Sequence, residues 1–155
     1  MLGRAKWSKL AGAALIAALL VSACTVPVTQ QGGGQPIDRQ LVTQAEKLSR
    51  DGRLVFVDVT ADWCFTCKVN ERLILETPEI AGAFERHRVV AMRADWTNRS
   101  DDIARFLAEH GRAGIPFYML YRPGREPKIF AELLTKDGLL ADIEAAGVAA
   151  ATLER

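Results

Sequence analysis

Residues 54–60 of this 155-residue chain read LVFVDVT. Seven residues are few for a core helix, and the β-branched content suits a strand buried on both faces. A Cys-Phe-Thr-Cys follows at 64–67 after only three residues. Such a strand belongs inside a sheet covered by helices on both sides, so the two cysteines are expected at a strand-to-helix turn of a layered α/β domain.

The flanking sequence supplies the other elements. Asp38 is positioned to cap a helix with Leu41, Ala45 and Leu48 on one face, ended by Gly52. Helices are expected from Cys64 or Phe65 to Glu76, and from Pro78, behind Thr77, to His87; residues 89–94 (VVAMRA) are the second strand. Ser100 is the expected cap of a helix carrying Ile103, Phe106 and Leu107, with Gly111 after its end. Residues 117–121 (FYMLY) are the third strand, 122–125 a turn and 128–133 the fourth strand. Thr135 then caps a last helix with Leu139, Leu140 and Ile143. Strands separated by helices imply parallel pairing, and the last two, joined by a tight turn, antiparallel pairing. The expected fold class is α/β: a mixed central sheet of about four strands flanked by helices on both faces.

Ahead of this domain, Arg4, Lys6 and Lys9 precede an uncharged stretch at 10–23 (LAGAALIAALLVSA), and Cys24 follows at once. That is the layout of a secretory signal peptide. As a helix the apolar stretch reaches about 21 Å, short of the roughly 30 Å hydrocarbon core, which argues against the other reading, an uncleaved anchor. Val21-Ser22-Ala23-Cys24 resembles the bacterial lipobox. The resemblance implies that the Cys24 sulfur is acylated and holds the chain to a membrane, at about 0.8 kcal/mol per buried CH₂. Residues 25–35 (TVPVTQQGGGQ) carry no charge and no apolar periodicity, as a tether should. The expected division is a signal peptide at 1–23, anchor and linker at 24–36 and one folded domain at 37–155, monomeric and facing the periplasm of a bacterial envelope. Beyond residue 23 there are 17 Lys and Arg against 19 Asp and Glu, so no basic excess exists to bind nucleic acid.

With Cys24 assigned to acylation, two of the three cysteines remain, and nothing is left for a structural disulfide framework. A spare dithiol at this spacing in an oxidising envelope is a redox pair in principle. At a helix N-terminus the peptide dipoles and free N–H groups favour the thiolate, the species that attacks a disulfide. Cys64 is then the exposed nucleophile, and Cys67, one turn in on the same face, the buried resolving thiol. Half of a zinc site is the competing reading, but tetrahedral zinc takes four ligands and the chain otherwise offers only His87 and His110, near helix ends. A copper(I) dithiolate in a non-catalytic binding or interaction lipoprotein stays open as the alternative. Thiol exchange itself needs no bound cofactor.

Residues 57–68 (VDVTADWCFTCK) resemble the thioredoxin active-site segment, and Gly114-Ile115-Pro116 resembles its cis-proline loop. Within that superfamily, Ala61-Asp62-Trp63-Cys64, Ala94-Asp95-Trp96-Thr97 and Gly111-Arg112-Ala113-Gly114-Ile115-Pro116 look most like the C-terminal periplasmic domain of the DsbD and ScsB type thiol:disulfide interchange proteins. The likeness covers about residues 40–146. The 155 residues hold no counterpart of the membrane-embedded and N-terminal domains of those proteins, and Phe65-Thr66 stands where ordinary thioredoxin has Gly-Pro.

The resemblance implies a thioredoxin-like fold with Pro116 cis against the Cys64 sulfur, and an Ile115 backbone able to pair with an extended substrate strand. Asp58, within an apolar strand, is expensive to bury when ionised, so it is either turned to solvent or functional with a raised pKa. It stands where thioredoxins have a buried carboxylate, which implies that it takes the Cys67 proton when a mixed disulfide resolves. Glu71, four residues after Cys67 and so on the same helical face, matches a second carboxylate of the DsbD-type domains; a surface helix charge is its other reading. Negative charge from Asp58, Asp62 and Glu71 disfavours the Cys64 thiolate and makes the reduced form a stronger reductant, while Lys68 opposes this from an expected solvent-facing position. Trp63 is expected to cover the dithiol on one side, a plain core tryptophan being the other reading. The expected activity is a thiol:disulfide reductase or relay, with disulfide-bearing envelope proteins as substrates and a membrane thiol transporter as electron donor.

Overall fold

The computed structural model describes residues 39–153. The expected signal peptide, Cys24, the linker and the Asp38 cap lie outside the described residues.

Helix α1 (Arg39–Arg50) turns Leu41, Ala45 and Leu48 to the core and is followed by a turn at Gly52, whose φ of 85° suits a residue with no Cβ. Strand β1 (Val55–Thr60) is buried along its whole length. Helix α2 (Phe65–Asn70) continues into a π-helical turn at Glu71–Leu75, and α3 (Pro78–Arg86) begins with its proline in the first turn. Strand β2 (Val90–Asp95) leads to α4 (Asp101–Glu109), capped where the Ser100 hydroxyl accepts the Ile103 N–H at 3.3 Å. Strands β3 (Phe117–Arg122) and β4 (Arg125–Ile129) form a hairpin, and α5 (Lys136–Leu153) closes the domain.

The sheet order is β2-β1-β3-β4, a four-stranded mixed sheet as expected. One pairing differs from the expectation. Strand β1 runs parallel to β2 but antiparallel to β3, although a helix separates β2 from β3. Asp95 pairs with Thr60 and Phe117 with Val59, so residues 96–116 leave and re-enter the sheet at the same end. Strand β3 therefore runs back down beside β1, and its entry loop stands next to the cysteines. Strand β4 also lies earlier than the expected 128–133. Pro123 and Gly124 (φ 65°) make the turn, and the chain beyond Phe130 leaves the sheet to bond a side chain of α2.

Alternation along the strands divides the core into two layers. Val55, Val57, Val59, Phe117 and Met119 pack with Ala45 of α1 and Ile103, Phe106 and Leu107 of α4. Leu54, Phe56, Tyr118 and Leu120 pack with Ile80 and Ala83 of α3 and Leu139, Ile143 and Ala146 of α5. Helix α5 lies so close to the end of α3 that a Cβ on Gly147 would overlap the His87 ring at Nδ1. Gly147→Ala is therefore expected to lower stability by about 1–3 kcal/mol, reversing the roughly 1 kcal/mol that alanine normally gains in a helix. Urea unfolding checks this. The double variant with His87→Ala should recover the loss, and a single variant more stable than the parent contradicts the packing.

Candidate active site

Cys64 is the N-cap of α2 (φ −83°, ψ 96°), and its Sγ accepts the Cys67 N–H at 3.2 Å. A disulfide joins Cys64 and Cys67, with their Cα atoms 5.3 Å apart. Cys67 is fully buried as expected, but Cys64 is only 6% exposed and is not the open nucleophile anticipated for it. In this oxidised form Ala61, Trp96 and Ile115 pack around the pair.

The cover expected from Trp63 comes instead from Trp96. Trp63 is 62% exposed; its Nε1–H donates to the Thr97 carbonyl at 3.2 Å, and its ring lies 6.4 Å from that of Trp96. The strand ends decide this exchange. The Trp96 N–H bonds the Thr60 carbonyl at 2.7 Å, and Asp62 N–H donates to Thr97 Oγ1 at 2.9 Å, tying the loop after β2 to the loop before Cys64. Asp95 Oδ1 accepts the Thr97 N–H at 2.7 Å, and the hydrogen bonds from Thr97 hold its carboxyl below the usual range. On the other side the Ile115–Pro116 peptide is cis and opens β3.

Asp58 points into the α3 and α5 face of the sheet and is 4% exposed. Its register partners are Arg93 on β2 and Tyr118 on β3. Arg93 Nε donates to Asp58 Oδ2 at 3.1 Å, while the buried Oδ1 has no hydrogen-bond partner. Burial pushes the Asp58 pKa up to about 6; Arg93 and Lys68 oppose the rise and the Glu71 charge adds to it.

Glu71 is buried, not the surface charge that its helical position also allowed. Its Oε1 accepts from Thr60 Oγ1 at 2.8 Å and lies 3.7 Å from an Arg93 nitrogen, and its Oε2 accepts from Lys68 Nζ at 3.2 Å. Lys68, expected to reach into solvent, keeps 41% of its side chain exposed and lies between Glu71 and Asp62, the latter 3.9 Å away and itself exposed. The π turn lets adjacent residues Asn70 and Glu71 both be buried. Asn70 Nδ2 donates to Tyr118 Oη at 3.1 Å and to the Glu132 carbonyl at 2.6 Å, and its Oδ1 accepts the Leu134 N–H at 3.3 Å. Helix α2 is thereby fixed to β3 and to the loop before α5.

Four residues were thus not assigned a part from the sequence: Trp96, which packs on the dithiol, and Arg93, Asn70 and Tyr118, which bond within the polar network beside α2. Arg93 left a signal, a lone cation within VVAMRA that answers the lone carboxylate within LVFVDVT. Only the parallel register shows that they meet. His87 and His110 follow the ends of α3 and α4, as expected. Among the described residues no group of three or more His, Cys, Asp or Glu is arranged to hold a metal ion.

A family model described as thioredoxin-like matches residues 38–123. The thiol:disulfide interchange protein DsbD 1 of Pseudomonas aeruginosa is 28% identical over 110 residues, which are 71% of this chain and 17% of that protein. The chain thus spans well under two thirds of that relative. Among solved structures, the DsbD C-terminal domain of Neisseria meningitidis in its oxidised form is similar with a TM-score of 0.58 and 21% identity, covering 73% of this chain and 99% of that one. Its reduced form gives 0.57 and 22%, with 72% and 99% covered. A thioredoxin from Thermus thermophilus gives 0.51 and 18%, with 73% and 88% covered. At these identities the structures show a shared fold.

Proposed function

The chain belongs to the thioredoxin-like family, and on that premise we propose that it is an envelope thiol:disulfide oxidoreductase that reduces, or relays electrons to, disulfides of exported proteins. The observation that carries this reading is the Cys64–Cys67 disulfide at the start of α2, on a helix that runs on to buried Glu71, which shares Arg93 with buried Asp58.

In the reduced state the Cys64 thiolate attacks one sulfur of a substrate disulfide. A Cys64–substrate bond forms, the substrate disulfide breaks, and the departing sulfur leaves as a thiolate that takes a proton from water. Cys67 then gives its proton to Asp58, and its thiolate attacks Cys64 Sγ. The Cys64–Cys67 bond forms and the second substrate sulfur leaves, taking up a proton. Two electrons and two protons have passed to the substrate, and the enzyme is left as the disulfide. A dithiol of a membrane thiol transporter reverses these steps to restore it.

Direction follows from charge. Asp58, Asp62 and Glu71 place three carboxylates around α2 against the two cations Arg93 and Lys68. A carboxylate excess withdraws part of the thiolate stabilisation that the helix N-terminus provides, which favours giving electrons away. Dithiol-driven reduction of insulin tests the activity. The parent should catalyse it and Cys64→Ser should not; a copper(I)-binding or interaction lipoprotein would show no catalysis by either.

We assign the domain to a periplasm-facing position, with residues 1–23 removed, residues 24–36 as anchor and linker and Cys24 acylated. Among the described residues no helix is long and apolar enough to cross a membrane. Intact-mass measurement of membrane-extracted protein is expected to show an acylated chain starting at Cys24; a full-length chain with unmodified Cys24 contradicts the assignment.

A further inference from the structure

We propose that Arg93 is a positioning residue for the dithiol's proton acceptor: its guanidinium occupies Oδ2 of Asp58 and reaches Glu71 at the same time, so that Oδ1 of Asp58 is kept as the oxygen that receives the proton. This rests on the reading that Asp58 takes the Cys67 proton.

The geometry is a fork shared by two carboxylates, not a bidentate pair with one. Nε lies 3.1 Å from Asp58 Oδ2, and the terminal nitrogen lies 3.7 Å from Glu71 Oε1. Glu71 is held at that place by Thr60 Oγ1 and Lys68 Nζ, so the guanidinium plane is fixed from both ends. Half of the Arg93 side chain stays in solvent, which keeps its charge hydrated, whereas both carboxylates are buried. The charges form an alternating chain, Asp58–Arg93–Glu71–Lys68–Asp62, that runs from the sheet interior to the surface near Cys64. Glu71 draws part of the guanidinium away from Asp58. Arg93 therefore lowers the proton affinity of Asp58 less than a dedicated partner would, and leaves it a usable acceptor.

The groups that act on Asp58 are Arg93 from β2, Tyr118 from β3, and Lys68 and Glu71 from α2 and its π turn. Tyr118 keeps its proton, because burial pushes its hydroxyl well above the usual phenol range. Within this set, deleting Arg93 removes the largest favourable charge. Protonated Asp58 then persists to higher pH, and the acceptor is available only in more alkaline solution.

The test is single-turnover resolution of a preformed mixed disulfide, followed against pH in the parent, Arg93→Met and Arg93→Lys, with the Cys64/Cys67 reduction potential measured alongside. Arg93→Met should move the pH midpoint of resolution up by about one unit or more and slow the step about tenfold at the parent's midpoint. Arg93→Lys keeps the charge but not the fork and should return part of the way, with the midpoint still raised. Glu71→Gln should move it down. If Arg93→Met does not fold, Arg93→Lys decides alone, and an unshifted midpoint there overturns the proposal. An unshifted midpoint in Arg93→Met overturns it whatever the variant's stability. Asp58→Asn separates the two readings: if it keeps the parent's pH dependence, Asp58 is not the acceptor and the parent reading fails; if it abolishes that dependence while Arg93→Met leaves it unmoved, only the role of Arg93 fails.

Discussion

Replacing Cys67 with serine is expected to stop turnover and leave Cys64 covalently joined to its substrate. The serine hydroxyl keeps the size and place of the thiol one turn into α2, but it neither ionises near neutral pH nor forms a stable bond to sulfur. The first step still proceeds, because Cys64 remains the N-cap with its sulfur among the free N–H groups of the helix. The second cannot. Steady-state disulfide reduction should fall by about a thousandfold or more, as it does when covalent enzymes lose a nucleophile. The mixed disulfide should appear on a non-reducing gel as an adduct that dithiothreitol removes. Cys64→Ser should form no adduct at all. Turnover by Cys67→Ser near the parent rate, with no adduct, would mean that Cys64 acts without a resolving partner.

Asp58→Asn is expected to move activity and stability in opposite directions. Resolution loses its internal proton acceptor and should slow about 100-fold near neutral pH, within the range of general acid–base contributions. Stability goes the other way. The Asp58 carboxyl titrates at about 6 when folded against 3.8 in its ordinary state. A raised carboxyl pKa gives a contribution to stability that is full below 3.8 and is lost as pH climbs through about 6, since the ionised form is the one burial disfavours. That loss amounts to roughly 3 kcal/mol at pH 8. The asparagine variant does not suffer it and should unfold at higher urea than the parent at pH 8, with the difference closing near pH 3. A variant less stable than the parent at pH 8 would mean that the Arg93–Asp58 pair outweighs the burial of the charge. A buried carboxylate that costs the fold stability, with one oxygen left unpartnered, is what a functional group looks like energetically.

How much of this could be read in the sequence depended on whether the signal was local. The run at 54–60, the Cys-x-x-Cys after it, the cap at Ser100 and the first-turn proline at Pro78 are local, and each of these elements formed where periodicity and turn chemistry placed it. The direction of β3 was not local, because a connection containing one helix can return to either end of a sheet, and residues 96–116 return to the end they left. The burial of Glu71 depended on a π turn, which shifts the helical face by a fraction of a turn and has no pattern of its own in the sequence. Trp63 and Trp96 are chemically identical, and which one covers the disulfide follows from the hydrogen bonds of Thr60 and Thr97. Arg93 required the parallel register before its charge could be set beside that of Asp58.

The central claim, that this dithiol gives electrons away, is tested most directly by equilibrating the Cys64/Cys67 pair of the folded domain against a glutathione series. A reduction potential near the roughly −270 mV of thioredoxin, or lower, is the predicted result. A value near the roughly −120 mV of DsbA would contradict the account, since it would mean that the reduced form is strongly stabilised and that electrons flow into Cys64 and Cys67 from their substrates.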